Sequence, residues 1–244
     1  MKYLYKISFI VFGVIFWLPC LSQDVWKSIN ISEFKEEMNQ IKMKIASINK
    51  FQVETEYLSY ENGEKEIVHD RFNGYVKKDG IKLHNYNLGI HSIQNEDMKV
   101  VVDSSNELIA LVQRDTSSFQ IISAELKDVI YEKALSIKKR VVGDDVFYQM
   151  KYDKEFDITE YTIQFNKSGQ VKMIDLTYSE TTKNNANLDV NIRVRILFTH
   201  WNLNPQFSKN DFSYKDYIVK NENKYYLTEL YRDFELMDQR INAN

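Results

Sequence analysis

IVHDRFNGYVKKDGIKLHNYN, residues 67–87, is the stretch whose reading decides the fold. Two β-type runs, Ile67–Lys78 and Ile81–Asn87, flank Asp79-Gly80, a strong two-residue hairpin signal. With Asp79-Gly80 as the loop, Lys78 faces Ile81, Val76 faces Leu83 and Phe72 faces Asn87 on one side of the ribbon. Tyr75 faces His84 and Asn73 faces Tyr86 on the other, because side chains alternate along a strand. The first side reads as core. The second is aromatic but polar-tipped, which suits a solvent boundary or the wall of a ligand cavity.

Working outward, short strand patterns continue on both sides. Phe51–Tyr60 precedes the hairpin and ends at Asn62-Gly63. His91–Gln94, Met98–Asp103 and Glu107–Arg114 follow it. Ahead of them lies a helix: Ile31, Phe34, Met38, Ile41, Ile45 and Ile48 recur at spacings of three and four, with Asn30 and Glu33 placed as a capping box. The opposite face carries Lys35, Glu36, Asn39, Gln40 and Lys42. Ser123–Ile137 reads as a second, shorter helix, with Ser123 as its cap. Strands resume at Val146–Tyr152, Ile158–Phe165, Val171–Tyr178 and Val190–Thr199. Thr181–Leu188 reads as a polar loop. The Tyr214–Leu236 tail holds two short strands around Asn221-Glu222-Asn223. About eleven or twelve strands and two helices are expected. The fold class is α+β, mostly β: an unclosed antiparallel β-barrel, or curved sheet, covered by amphipathic helices.

The N-terminus reads as a signal peptide over residues 1–22. Lys2 and Lys6 precede the apolar run Ile7–Leu18, which is shorter than the roughly 20 residues of a membrane-spanning helix. Cys20-Leu21-Ser22 places small residues at the −3 and −1 positions, so Gln23 begins the mature chain and residues 23–244 form one domain. This predicts a periplasmic protein. The alternatives are a lipoprotein anchored through Cys20, which Pro19 disfavours, a secreted protein, or an uncleaved anchor. Cys20 is the sole cysteine, so the mature domain has neither disulfide nor thiolate chemistry and depends on its core. Losing Lys2 and Lys6 takes the formal charge from −3 to −5. No basic block appears, which argues against nucleic acid as a partner. The chain has 16 tyrosines and 14 phenylalanines against 7 glycines and 2 prolines, a balance that suits long aromatic strands rather than disorder.

No nucleophile elbow, His-Glu-x-x-His, phosphate loop or Ser-x-x-Lys is present. The expectation is a non-enzyme without cofactor or metal. His69, His84, His91 and His200 read as surface or hydrogen-bonded strand residues, with a zinc site assembled from different strands as the alternative. Asp144-Asp145 and Glu64/Glu66 read as turn acids. Arg193 and Arg195 share one strand face, as an anion grip or a solvated surface.

The stretch Phe51–Val112 resembles the periplasmic outer-membrane lipoprotein carriers, the LolA/LolB-like family. The resemblance rests on the element order, on Gly74-Tyr75-Val76-Lys77-Lys78, on the strand Met98–Asp103, and on Ile109-Ala110-Leu111. Asp79-Gly80 stands where the family has proline, and His84 or Tyr86 stands near its tryptophan. The resemblance implies an unclosed barrel whose concave apolar face, covered by helices, holds acyl chains of lipoproteins in transit. On this reading the cavity residues are Phe34, Met38, Ile41, Val53, Tyr57, Val76, Leu83 and Val101, with Lys77 or Lys78 at a head group, and the partner is a lipid or an acylated protein. The second reading is a non-catalytic interaction module of a cell-envelope complex, motivated by the tyrosine-rich tail Tyr214–Phe234.

Overall fold

The computed structural model describes residues 25–61, 67–114, 131–183, 189–222 and 224–240. The signal segment and most of the expected second helix lie outside them. In chain order the elements are β1 Lys27–Ile29, α1 Ile31–Ser47, β2 Lys50–Glu61, β3 Ile67–Asp79, β4 Lys82–Asn87, β5 Ile90–Gln94, β6 Lys99–Asp103 and β7 Leu108–Val112. There follow β8 Ser136–Val142, β9 Asp145–Lys151, β10 Ile158–Asn166, β11 Val171–Lys183 and β12 Asp189–Asn202. Last come β13 Ile218–Asn221, β14 Lys224–Leu227 and β15 Glu235–Asp238.

Thirteen strands form one open sheet in the order β1-β8-β9-β10-β11-β12-β2-β3-β4-β5-β6-β7-β15. All neighbours are antiparallel except β15, which runs parallel to β7. Two meanders, β2–β7 and β8–β12, are joined through β12 and β2, whose register runs from Ile192 opposite Glu61 to Asn202 opposite Gln52. Strands β13 and β14 form a separate hairpin.

Helix α1 links the edge strand β1 to β2 in the middle of the sheet, so it crosses β8 to β12. Six strand spacings cover about 29 Å of a flat sheet. A 17-residue helix is about 25 Å long. The helix with its connections at Asn30 and Ile48-Asn49 spans this part of the sheet, which is curved and not closed. The Asn30 side chain caps α1 by accepting from the Glu33 N–H at 2.9 Å, as the sequence predicts. At the other end the buried Lys78 ammonium donates to the Ile48 carbonyl at 2.7 Å, satisfying an orphan of the last turn. Glu37, on the flank of the apolar stripe, accepts from Lys139 and from the Tyr148 hydroxyl, and ties the helix to β8 and β9. Burial, then the Glu37 carboxylate, raises the Tyr148 hydroxyl above its usual range.

Each face of the sheet carries its own core. On the helix side, Phe34, Met38 and Ile45 pack against inward residues of β2, β3 and β8–β12, including Phe51, Val53, Met150, Tyr161, Ile163 and Ile174. Phe34 stands edge-on to Tyr131 and Tyr148, at ring separations of 4.9 and 5.3 Å. On the opposite side, Met98, Val100, Val102, Ile109 and Leu111 are closed over by Ile218 and the aromatic tail.

Several expectations are corrected. Helix α1 covers one face of the sheet, and the expected second helix lies mostly outside the described residues, of which Tyr131 and Glu132 are helical. Ser136 and Ile137 belong to strand β8 rather than a helix; the alternating run from Ser136 to Val142 is paired on both sides, to β9 and to β1. Thr181–Lys183 extends β11 instead of opening a loop. Strands β1 and β15 carry no strand pattern of their own and were not expected.

The hairpin register also shifts by two residues. Asp79 pairs with Lys82, Lys78 with Leu83, Val76 with Asn85 and Tyr75 with Tyr86. The loop is therefore Gly80-Ile81. Gly80 has φ +61°, while Asp79 and Ile81 stay out of the left-handed region, as in a two-residue loop with glycine first. The Gly80 N–H donates to the Asn49 carbonyl at 2.8 Å, which fixes the turn.

Gly74 sits where β3 begins to pair with β4. A Cβ there would lie 2.4 Å from the Tyr86 carbonyl oxygen and 2.7 Å from Thr55 Oγ1. The carbonyl belongs to the strand backbone and cannot yield cheaply. Gly74→Ala is expected to destabilise the protein by about 2 kcal/mol, as overpacking does. Denaturant unfolding of the variant beside the wild type checks this.

Candidate functional site

The residues proposed from sequence do not share one place. Phe34, Met38, Val53 and Val76 are buried in the helix-side core, none more than 3% exposed, and Ile41, Tyr57 and Leu83 pack against that core half-buried. Val101 lies on the same face farther along the sheet and is half-buried. Its position is fixed by a row of direct pairs crossing β2 to β7: Val53, Val76, Asn85, Ser92, Val101 and Ala110. Lys77 is on the opposite face, where its ammonium meets Asp211 Oδ1 at 2.7 Å. Lys78 is 5% exposed and committed to the end of α1.

The other sequence candidates have structural partners. Asp175, 5% exposed, accepts from Arg193 Nε and NH2 at 2.6 and 2.5 Å and from Arg195 Nε at 2.8 Å. Arg195 is its direct cross-strand partner and Arg193 the diagonal one. Both guanidinium groups also lie over the Tyr60 ring. An anion grip at this pair would compete with a bidentate internal carboxylate. The triad borders an open polar depression of about 490 Å³ that also involves Glu160, Thr162, Thr177 and Asn191. Asp144 and Asp145 pair with Lys167 and Lys172 near the strand turns. In the tyrosine-rich tail, Tyr214, Tyr217, Tyr225, Tyr231 and Phe234 pack onto the second core, while Tyr226 and Leu230 are exposed.

A polar aromatic cluster that no local sequence pattern assembles lies on that second face. Strand pairing brings Tyr75 and Lys77 of β3, His84 and Tyr86 of β4 and His91 of β5 to one side. The segment after β12 closes over them. His84 Nδ1 donates to the Asp211 carbonyl oxygen at 2.8 Å, which fixes the imidazole tautomer. His84 Nε2 then carries the lone pair, and faces the Tyr75 hydroxyl at 3.1 Å and His91 Nδ1 at 3.3 Å. The His91 ring packs on Tyr86 at 4.5 Å and approaches Tyr217 at 5.9 Å. The polar-tipped second face of the hairpin signalled such a wall, while the contribution of Asp211 from 127 residues away left no local signal.

Electrostatics follow the burial. Desolvation lowers His84 to about 4, with His91 and Lys77 adding to it against the Asp211 carbonyl. His91 is lowered by burial as well. Burial first, then Asp211 and Tyr86, raise the Tyr75 phenol. Both imidazoles are thus neutral, and the phenol protonated, at neutral pH.

No family model and no curated protein matches the chain. Among solved structures, it is similar to a DUF1329 family protein from Desulfovibrio piger, at 11% identity over 74% of this chain and 97% of that one, with a TM-score of 0.30. A LolA superfamily protein from Nitrosomonas europaea matches at 9% identity over 72% and 97%, with a TM-score of 0.30. A domain described as outer membrane lipoprotein-sorting, from Vibrio parahaemolyticus, matches at 8% identity over 76% and 98%, with a TM-score of 0.31.

Asp211 is the latch of the segment after β12. Its carboxylate holds Lys77 and accepts from the Ser208 N–H and hydroxyl at 2.6 and 2.9 Å. Replacing Asp211 by Asn removes the ion pair while keeping the shape. The segment should open more readily by about 1 kcal/mol, giving roughly fivefold faster trypsin cleavage after Lys209 when cleavage follows the open population. Timed limited proteolysis of the variant and the wild type checks it.

Proposed function

We propose that this chain is a non-catalytic binding protein of the periplasm that holds an apolar ligand, a lipid or the acyl chain of a lipoprotein, on the helix-facing side of its sheet. The observation that carries this reading is the row Val53–Val76–Asn85–Ser92–Val101–Ala110. Its first two residues are sealed in the core next to α1. Its last two, Val101 and Ala110, lie on the same face farther along the sheet, Val101 half-buried and Ala110 buried. Small side chains, Asn85 and Ser92, stand between. A bent sheet with one apolar side, bordered by an amphipathic helix, offers a concave surface on which an extended chain buries about 0.8 kcal/mol per methylene. Polar orientation would come from Asn85 and Ser92, because Lys77 and Lys78 are held by Asp211 and by the end of α1.

The test is mass spectrometry of solvent extracts from the chain purified from envelope fractions without detergent. An acyl species near one per chain is expected. Val101→Trp, at a half-buried position, should reduce it several-fold with a melting temperature within a few degrees of the wild type. Extracts that stay empty after incubation with lipid, from protein that melts cooperatively, overturn the reading.

A further inference from the structure

The cluster on the opposite face holds three potential donor atoms in a small space, and their arrangement is not well explained by hydrogen bonding alone. With Nδ1–H committed to the Asp211 carbonyl, His84 Nε2 has one lone pair. Two groups converge on it. If His91 Nδ1 carries a proton, that N–H and the Tyr75 O–H compete for the same lone pair. If it does not, two nitrogen lone pairs face each other at 3.3 Å. One acceptor site serves two neighbours in the first case, and a repulsive contact is left in the second.

A cation resolves both. Two ligands about 2.05 Å from a tetrahedral metal stand about 3.3 Å apart. The His84 Nε2–His91 Nδ1 separation is 3.3 Å and the Tyr75 Oη–His84 Nε2 separation is 3.1 Å. We propose that Tyr75 Oη, His84 Nε2 and His91 Nδ1 form a binding site for a divalent first-row transition ion, zinc or copper. Imidazole suits both ions.

The surroundings match the needs of such a site. The Nδ1–H of His84 is bonded to a backbone carbonyl, the outer contact that orients a metal-bound imidazole and fixes its tautomer. Neutral His84 needs no deprotonation to bind. His91 binds as the tautomer with its proton on Nε2, and Tyr75 binds as phenolate, releasing one proton to solvent. Lys77, whose charge would oppose a cation, is neutralised by Asp211. The ligands are half-buried, so an ion can reach them, and Tyr86 packs beside His91. Among the described residues no three histidine, cysteine or carboxylate groups converge, so the phenol is what completes the set. His69 is exposed, and His200 pairs with Glu54 at 3.0 Å, so neither belongs to it.

The experiment titrates Zn²⁺, and separately Cu²⁺, into the purified chain by calorimetry and absorption. One ion per chain is expected, with an enthalpy that depends on the buffer because a proton is released, and with a visible phenolate-to-copper band in the Cu²⁺ arm. Tyr75→Phe should abolish the band. His91→Ala should weaken binding by about tenfold or more. A joint His69→Ala/His200→Ala variant should bind as the wild type does. The metal-free melting temperature of each variant separates ligand loss from unfolding. Absence of saturable binding to the wild type in excess metal overturns the proposal, as does one-to-one binding that survives His84→Gln/His91→Ala or a band that persists in Tyr75→Phe.

Discussion

Strand β1 lies at an edge of the sheet and β2 at its middle, and only α1 joins them, so the helix must cross five intervening strands. A helix of fixed rise, with one connecting residue before it and two after, has just the length to make that crossing. The rest of the architecture depends on that crossing. It forces one face to be apolar along β8 to β12 and into β2 and β3, and the apolar stripe Phe34, Met38, Ile45 meets it there. It also places the N-terminal half and the C-terminal end of α1 against strands distant in the sheet order, Glu37 against β8 and β9 and the Ile48 carbonyl against Lys78 of β3. These polar anchors lie beside the apolar stripe rather than within it, so the helix is fixed in azimuth and in length without an unpaired charge in the core.

Because strand side chains alternate, covering one face of the sheet leaves the other with its own set of residues to satisfy. Along β6 and β7 that set is apolar: Val100, Val102, Ile109 and Leu111. The tail after β12 returns to cover them, and its aromatics serve as the lid of a second core. The sheet is thus a single layer with a core on each side, offset along its length. Where the second core gives way to β3 and β4, the covering segment meets Tyr75, Lys77, His84 and His91 instead of valines. Asp211 and its backbone carbonyl supply the polar contacts that this part of the face requires.

The strand patterns, the α1 stripe and its Asn30 cap were legible because each is local: a period of two, a period of 3.6, and an oxygen three residues from an N–H. Strands β1 and β15 were not, since each is a short run recruited by pairing to an existing edge rather than by its own composition. The helix read over Ser123–Ile137 overran into β8 because Ser136-Ile137 fits the end of an apolar helical pattern as well as the start of an alternating one. In the same way, apolar side chains such as Phe34 and Val76 were recognisable as interior, while nothing in their spacing separates a residue that fills a core from one that lines a cavity. Lys77 illustrates the limit most sharply: one position in register from Val76 and Lys78, it is on the opposite face, and its partner is 134 residues away.

The two-residue shift in the β3–β4 register shows how a turn decides chemistry. With Asp79-Gly80 as the loop, Tyr75 would stand directly opposite His84, with Cβ atoms about 5 Å apart and the two long side chains forced to stack or splay. With Gly80-Ile81 as the loop, Tyr75 is opposite Tyr86 and diagonal to His84. Across a diagonal the Cβ atoms are about 7–8 Å apart, a distance at which the tips of a phenol and an imidazole meet end to end. The observed rings are edge-on at 5.1 Å, and the hydroxyl reaches Nε2 at 3.1 Å. The next pair repeats the relation, since His84 and His91 are diagonal across β4 and β5. Glycine at the first loop position, with its positive φ, thereby sets the first diagonal, the Leu88-Gly89 turn between β4 and β5 sets the second, and together they bring a hydroxyl and a second imidazole nitrogen to the single lone pair of His84.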